Sequence, residues 1–173
     1  MKPDTIEERL SQWARERPDL DPAGMKVVSR ILLLSKQLKR NDTRRLGKHG
    51  LNLWAYDVLA TLRRQGEPYQ LSPTELSRAT MLSPGAMTNR LDRLEDDGLI
   101  ERHPDPDDRR ALLIALTPAG REIADIAVKS RFEEAAKTVG CLTDTEREQL
   151  TALLNKLLTP RKHHPKKPTK TSA

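Results

Sequence analysis

The stretch SPGAMTNRLDRLEDDGLIERHPDPDDRRALLIALTPAG, residues 83–120, decides how the chain is read. It opens with Ser83-Pro84, a capping residue followed by one suited to a first helical position. Met87, Leu91 and Leu94 then recur at the spacing of one helical face until Gly98 stops the run. Ile100 and Arg102 on one side, and Leu112, Ile114 and Leu116 on the other, fit strand arms about the polar loop DPDDRR, although Ala111 to Leu116 is too uniformly apolar for clean alternation. Thr117-Pro118 starts another helix. Helix, hairpin and helix start in that order are the layout of a winged helix-turn-helix. Caps, periodicity and loop chemistry carry that reading together.

Outward toward the amino terminus, Ser72-Pro73 starts a short helix with Leu76 inward, and Met81-Leu82 forms a tight turn before Ser83. Leu51 to Arg64 places Trp54, Val58 and Leu62 on one side, with Gly66 as stop. Before the loop GKHG lie two further helices within residues 1–46. One spans 4–17, with Asp4 and Glu7 as a capping box and Ile6, Leu10 and Trp13 at helical spacing; the other spans 22–46, with Met25, Val28 and the Ile31 to Leu34 cluster as its stripe. Outward in the other direction, residues 118–159 hold a helix to about Val139 and a second opened by the Thr143 and Glu146 capping box, edged by Leu150, Leu153, Leu154 and Leu157. The expected fold class is mainly α (α+β winged helix), with residues 51–120 as the winged region, a recognition helix at 83–97 and a wing at 99–116.

Charge needs care. The net charge is +6 over 173 residues, but Arg161, Lys162, Lys166, Lys167 and Lys170 lie in an acid-free tail, residues 160–173; without them the remainder is only +1. Bulk charge is therefore poor support for nucleic-acid binding, because position matters more than total. The tail, rich in Lys, Pro and Thr, reads as a disordered basic segment, either merely solvated or adding phosphate attraction. The longest apolar run is too short to span a bilayer and Met-Lys-Pro-Asp does not begin a secretion signal, so a cytoplasmic, nucleoid-associated protein without membrane contact is expected. Cys141 is the single cysteine, which excludes an internal disulfide and a cysteine metal cluster. No histidine pair has helical ligand spacing, and no metal or cofactor is expected, though His163 and His164 can take metals adventitiously. No Gly-rich phosphate loop, metal motif or nucleophile elbow points to an enzyme; Ser72 and Ser83 are better read as caps.

On a helical wheel Gly85, Thr88, Asn89, Asp92 and Arg93 point away from the apolar face. Small residues at the helix start permit close backbone approach, Thr88 and Asn89 can reach base edges, and Arg93 can take a guanine or a phosphate. Ser72, Thr74 and Ser83 stand where helix starts can hold phosphates. At the hairpin tip Arg109 and Arg110 follow Asp107 and Asp108, a pattern that lays one arginine in a minor groove while an aspartate orients it. The same residues also suit a solvated helix and an ordinary salt-bridged hairpin; the combination of helix and tip favours double-stranded DNA as partner.

The run from Leu51 to Gly120, with DPDDRRALLIALTPAG as its most specific part, resembles the MarR (multiple antibiotic resistance regulator) family, and the flanking helices extend the likeness over nearly the whole ordered chain. The resemblance implies a homodimer, with residues 22–46 and 118–159 as dimerisation helices, that sets two recognition helices in successive major grooves of a pseudo-palindromic operator. It implies Asp108 and Arg110 as the wing pair, residues 83–93 as the base-reading surface, and repression relieved by a ligand.

A narrower resemblance concerns the leading helix with Trp13, the following ERPDLD, and the elements WAYDVL, TNRLDRLE and GLIERHPDP, which look like the urate-responsive branch of that family. It implies that Trp13, Asp57, Arg90 and Arg102 bind a small aromatic anion such as urate. The wheel places Arg90 on the flank of its helix, where it needs an acid or an anion, and Asp57 is a candidate partner. A structural ion pair of Asp57 with Arg90, with Trp13 packed in the core, fits the sequence equally well. A regulator answering another phenolic or aromatic acid, and an effector-independent architectural DNA-binding protein, remain open.

Overall fold

A computed structural model of the chain describes residues 5–108 and 111–159, which fall into two units divided after Arg131. In the first, helix α1 (Thr5–Glu16) lies against α2 (Ala23–Gly47). Ile6 and Leu10 bury the inner face of α1, and Glu7 ties the pair together by accepting from Arg30 at 3.0 Å with Lys26 at 3.8 Å. Asp4, expected as a cap, lies outside the described residues. Helix α3 (Leu53–Arg63) starts at Asn52, whose side chain accepts from the Ala55 N–H at 3.0 Å. Its face of Ala55, Val58, Leu59 and Leu62 enters the core formed with Leu76, Met87, Leu91, Leu94, Ile100 and Ile114.

Next come strand β1 (Gln70–Leu71), helix α4 (Pro73–Thr80) and helix α5 (Pro84–Asp96). Between the helices Met81 takes a left-handed backbone, φ 55°, and the Leu82 N–H closes the turn onto the Ser77 carbonyl at 3.0 Å. Strands β2 (Ile100–Pro104) and β3 (Leu112–Leu116) form the wing, and the antiparallel sheet has the order β1-β3-β2. β3 is thus the central strand, paired with Gln70 and Leu71 on one edge and with Ile100 to Pro104 on the other. That position explains its unbroken apolar run: Ile114, Ala115 and Leu116 are all buried.

Helix α6 (Pro118–Val139) crosses the division between the units. Thr117 fixes its start by donating its hydroxyl to the Gly98 carbonyl at 2.7 Å and accepting the Gly120 N–H at 3.0 Å. Gly120 packs directly on the backbone of Leu99, where a Cβ would overlap the carbonyl oxygen. In the second unit α7 (Asp144–Leu158) opens with the expected capping box, Thr143 and Glu146 bonding reciprocally. No described helix is long and apolar enough to cross a membrane. The basic tail, residues 160–173, lies outside the described residues.

Candidate nucleic-acid interface

Ser83 caps α5 by accepting from the Ala86 N–H at 3.4 Å, and Pro84 occupies the first helical position. Burial of Met87, Leu91 and Leu94 against the core then dictates what faces out. Gly85, Thr88, Asn89, Asp92 and Arg93 are all exposed, as the wheel requires. Thr88 returns its hydroxyl hydrogen to the Pro84 carbonyl at 3.2 Å, leaving the oxygen's lone pairs outward. The surface thus offers an amide at Asn89 and a guanidinium at Arg93, with Gly85 placing little bulk before them.

Ser72 is more fully committed than its sequence context conveys. Its hydroxyl accepts from the Glu75 N–H at 3.3 Å, while the Glu75 carboxylate accepts the Ser72 N–H at 2.9 Å and hydroxyl at 2.7 Å. These bonds hold the Glu75 carboxyl below the usual carboxylate range, the Ser72 hydroxyl contributing most. Ser72 is therefore first a cap, and exposed Thr74 is the hydroxyl of this helix start left facing solvent. At the wing the Asp105 N–H reaches the Ala111 carbonyl at 3.0 Å, the Asp107 N–H reaches the Asp105 side chain at 2.9 Å, and Asp108 is exposed. Arg109 and Arg110 lie outside the described residues.

The four residues implied in anion binding are distributed differently from the sequence expectation. Trp13 is not a core residue: it is 61% exposed and lines a groove between α1 and α2 with Leu10, Met25, Leu32, Arg9 and Lys36. Arg90 makes no ion pair with Asp57. Its guanidinium lies over the Trp54 ring at 5.5 Å, beside a cavity of about 320 Å³ that Asn89 and Arg93 also line. An aromatic face satisfies a guanidinium without a carboxylate, so the flank position needed no acid. Asp57, exposed at its surface yet crowded, has its pKa raised by desolvation, with Arg131 and then Arg90 pulling the other way. Arg131 itself is held by Asp42 at 2.6 Å and lies over Tyr56 at 5.1 Å. Arg102 donates to Asp92 at 2.6 Å and also to Glu95.

Sequence reasoning missed Glu75, Trp54 as the seat of Arg90, and Asp92 with Glu95 as partners of Arg102. A signal for the last existed: two carboxylates three apart on one helix side, then a glycine turn, then an arginine in the returning strand. Cys141 is exposed between α6 and α7, and no group of ligating side chains among the described residues can hold a metal ion.

A family model described as the MarR family matches residues 49–111. The HTH-type transcriptional regulator PecS of Dickeya dadantii is 34% identical over 152 residues, spanning 88% of this chain and 92% of that protein. The chain belongs to the MarR family. Transcriptional repressor MprA of Escherichia coli, 29% identical over 153 residues, spans 88% of this chain and 86% of its own length. A mutant MarR from E. coli, solved in complex with operator DNA, superposes with a TM-score of 0.65 and 27% identity over 80% of this chain and 97% of its own. The matched segment thus covers α3 through β2 and the wing tip and stops before β3, and these relatives are transcriptional regulators, not enzymes.

Proposed function

We propose that the chain is a transcriptional repressor that binds a pseudo-palindromic operator as a homodimer and is released by a small aromatic anion, urate being the first to test. The observation that carries DNA binding is the start of α5, where Gly85, Thr88, Asn89 and Arg93 form one exposed face over a buried apolar one. One copy of α5 per major groove lets Asn89 and Arg93 read base edges while Ser83 and Thr74 meet phosphates, with Ser72 holding the α4 start in place. Asp108, Arg109 and Arg110 serve the minor groove. The name of MprA supports repression, and the operator-bound MarR supports this mode of engagement.

The homodimer is supported by apolar surface left bare in each unit: Met25, Val28, Leu32 and Leu33 on α2, and Leu153, Leu154 and Leu157 on α7. The anion reading rests on the family resemblance together with the cations Arg90 and Arg102 and the unsettled carboxyl of Asp57. Arg102 reaches an anion only by exchanging its carboxylate partners, and Trp13 and Arg90 line separate cavities of the single chain.

The test is fluorescence anisotropy of a labelled duplex from upstream of the protein's own gene at fixed salt. Saturable, sequence-selective binding reversed by urate, and not by a neutral purine, is the expected result. Binding indifferent to urate retains the operator reading and sends the ligand search to other aromatic acids. Unselective binding with steep salt dependence replaces it with an architectural role.

A further inference from the structure

Arg102 stands where the wing meets the recognition helix. It is the middle residue of β2, opposite Ile114 in the register, and its guanidinium spans two carboxylates one helical turn apart on α5, Asp92 at 2.6 Å and Glu95. Its side chain is only 25% exposed, whereas that of Asp92 is 53% exposed. Asp92 lies on the same outward set as Thr88, Asn89 and Arg93. The second half of α5 and its cap are acidic, with Asp92, Glu95, Asp96 and Asp97 against Arg90 and Arg93.

Resting on the operator-binding reading, we infer that Arg102 is a positioning residue for DNA binding: it offsets one of the two negative charges of Asp92 and Glu95, holds both carboxylates on its guanidinium and pins the wing strand to the recognition helix, so that α5 enters the groove with neither carboxylate bare toward phosphate. Stability alone does not account for the arrangement, because ion pairs with partners this exposed contribute little to folding. Carboxylates approaching a phosphate backbone act over the Debye length, about 10 Å at 0.1 M salt, which makes their neutralisation a matter of affinity. Arg102 is not itself a reader in this arrangement, since its donors are directed to Asp92 and Glu95.

Three variants test the inference by anisotropy on a duplex that the wild type binds; absence of wild-type binding refutes the operator reading instead. Arg102→Gln is expected to weaken binding on the order of tenfold at 0.1 M salt, as one added net negative charge on two released carboxylates near phosphate implies, with the deficit shrinking as salt rises. Adding Asp92→Asn and Glu95→Gln to Arg102→Gln is expected to restore affinity to within about twofold of wild type, since neutral amides need no counter-charge. Asp92→Asn with Glu95→Gln in the presence of Arg102 is expected to bind at least as tightly as wild type, since it removes two negative charges near phosphate. Circular dichroism melting checks that each variant folds. Wild-type affinity in Arg102→Gln overturns the inference. So does a triple variant that folds yet stays as weak as Arg102→Gln, which marks Arg102 as a direct phosphate contact. Weaker binding by a double variant that folds also overturns the inference, since affinity would then be lost with no carboxylate left bare.

Discussion

Asp57 and Glu75 show how a carboxyl's surroundings set the sign of its contribution. Glu75 accepts hydrogen bonds that favour its charged form, so its pKa falls. Asp57 accepts none among the described residues, while desolvation raises its pKa, and the two arginines near it are engaged elsewhere, Arg131 with Asp42 and Arg90 over Trp54. A carboxyl whose pKa is raised on folding binds its proton more tightly in the native state. Its favourable contribution is complete below the unfolded-state value of about 3.9 and is lost as pH rises through the folded one. At neutral pH the Asp57 charge is therefore a net cost. Asp57→Asn is expected to raise the melting temperature at pH 7, and the gain should shrink toward about pH 3, below the unfolded-state value, where the carboxyl is protonated in both states. Thermal melts of both proteins at the two pH values decide it. A lower melting temperature for the variant at pH 7 would mean that attraction from Arg131 and Arg90 outweighs desolvation. Such a carboxyl, unsettled beside an arginine on the recognition helix, is the kind of group found at functional sites.

Elements differ in how plainly the sequence announces them. α5, the wing and the start of α7 were legible because each has its own cap, stripe or turn chemistry: Ser83 with Pro84, the polar hairpin tip, and Thr143 with Glu146. β1 was not, because a strand of two residues has no periodicity, and its existence is visible only through its neighbour. Ala111 to Leu116 carried the clue, being too apolar for an edge strand. The Trp54 ring under Arg90 and the exposure of Trp13 were not legible because a wheel gives direction within one helix and not what another helix brings there. The joint at the start of α6 was legible as a motif but not as a mechanism. Thr117 bonds the turn after α5, and Gly120 lets the helix rest on Leu99, where an added Cβ would stand 2.8 Å from the carbonyl carbon as well as overlapping its oxygen. The obstacle is backbone, which cannot rotate aside. Gly120→Ala is accordingly expected to destabilise by at least the 1–3 kcal/mol typical of overpacking, roughly, despite alanine's better helix propensity. A denaturant midpoint equal to or above that of wild type would show that α6 can lift from the turn at no cost.

At the scale of the molecule, apolar surface decides what a single chain leaves unfinished. α7 has no buried residue although Leu150, Leu153, Leu154 and Leu157 edge it, with Leu153 57% and Leu157 61% exposed. A helix of 15 residues is marginal by itself in water, so this edge needs a cover. A second copy fits the membership of the MarR family and the pseudo-palindromic operator proposed above. In a twofold interface each substitution acts twice, and burying a leucine contributes about 1.5–3 kcal/mol. Leu153→Glu combined with Leu157→Glu thus removes four buried leucines per dimer and places four charges in the interface. Sedimentation is expected to show a monomer at micromolar concentration, with circular dichroism retaining the helical signal of the winged region. Operator affinity should fall by about two orders of magnitude or more, because the second recognition helix is no longer delivered at the high effective concentration that linkage provides. Affinity for a duplex carrying one half-site should stay unchanged, which separates loss of the dimer from damage to the reader. A variant that remains dimeric with full operator affinity would move the interface to the bare face of α2, where Leu32 and Leu33 are the next residues to charge.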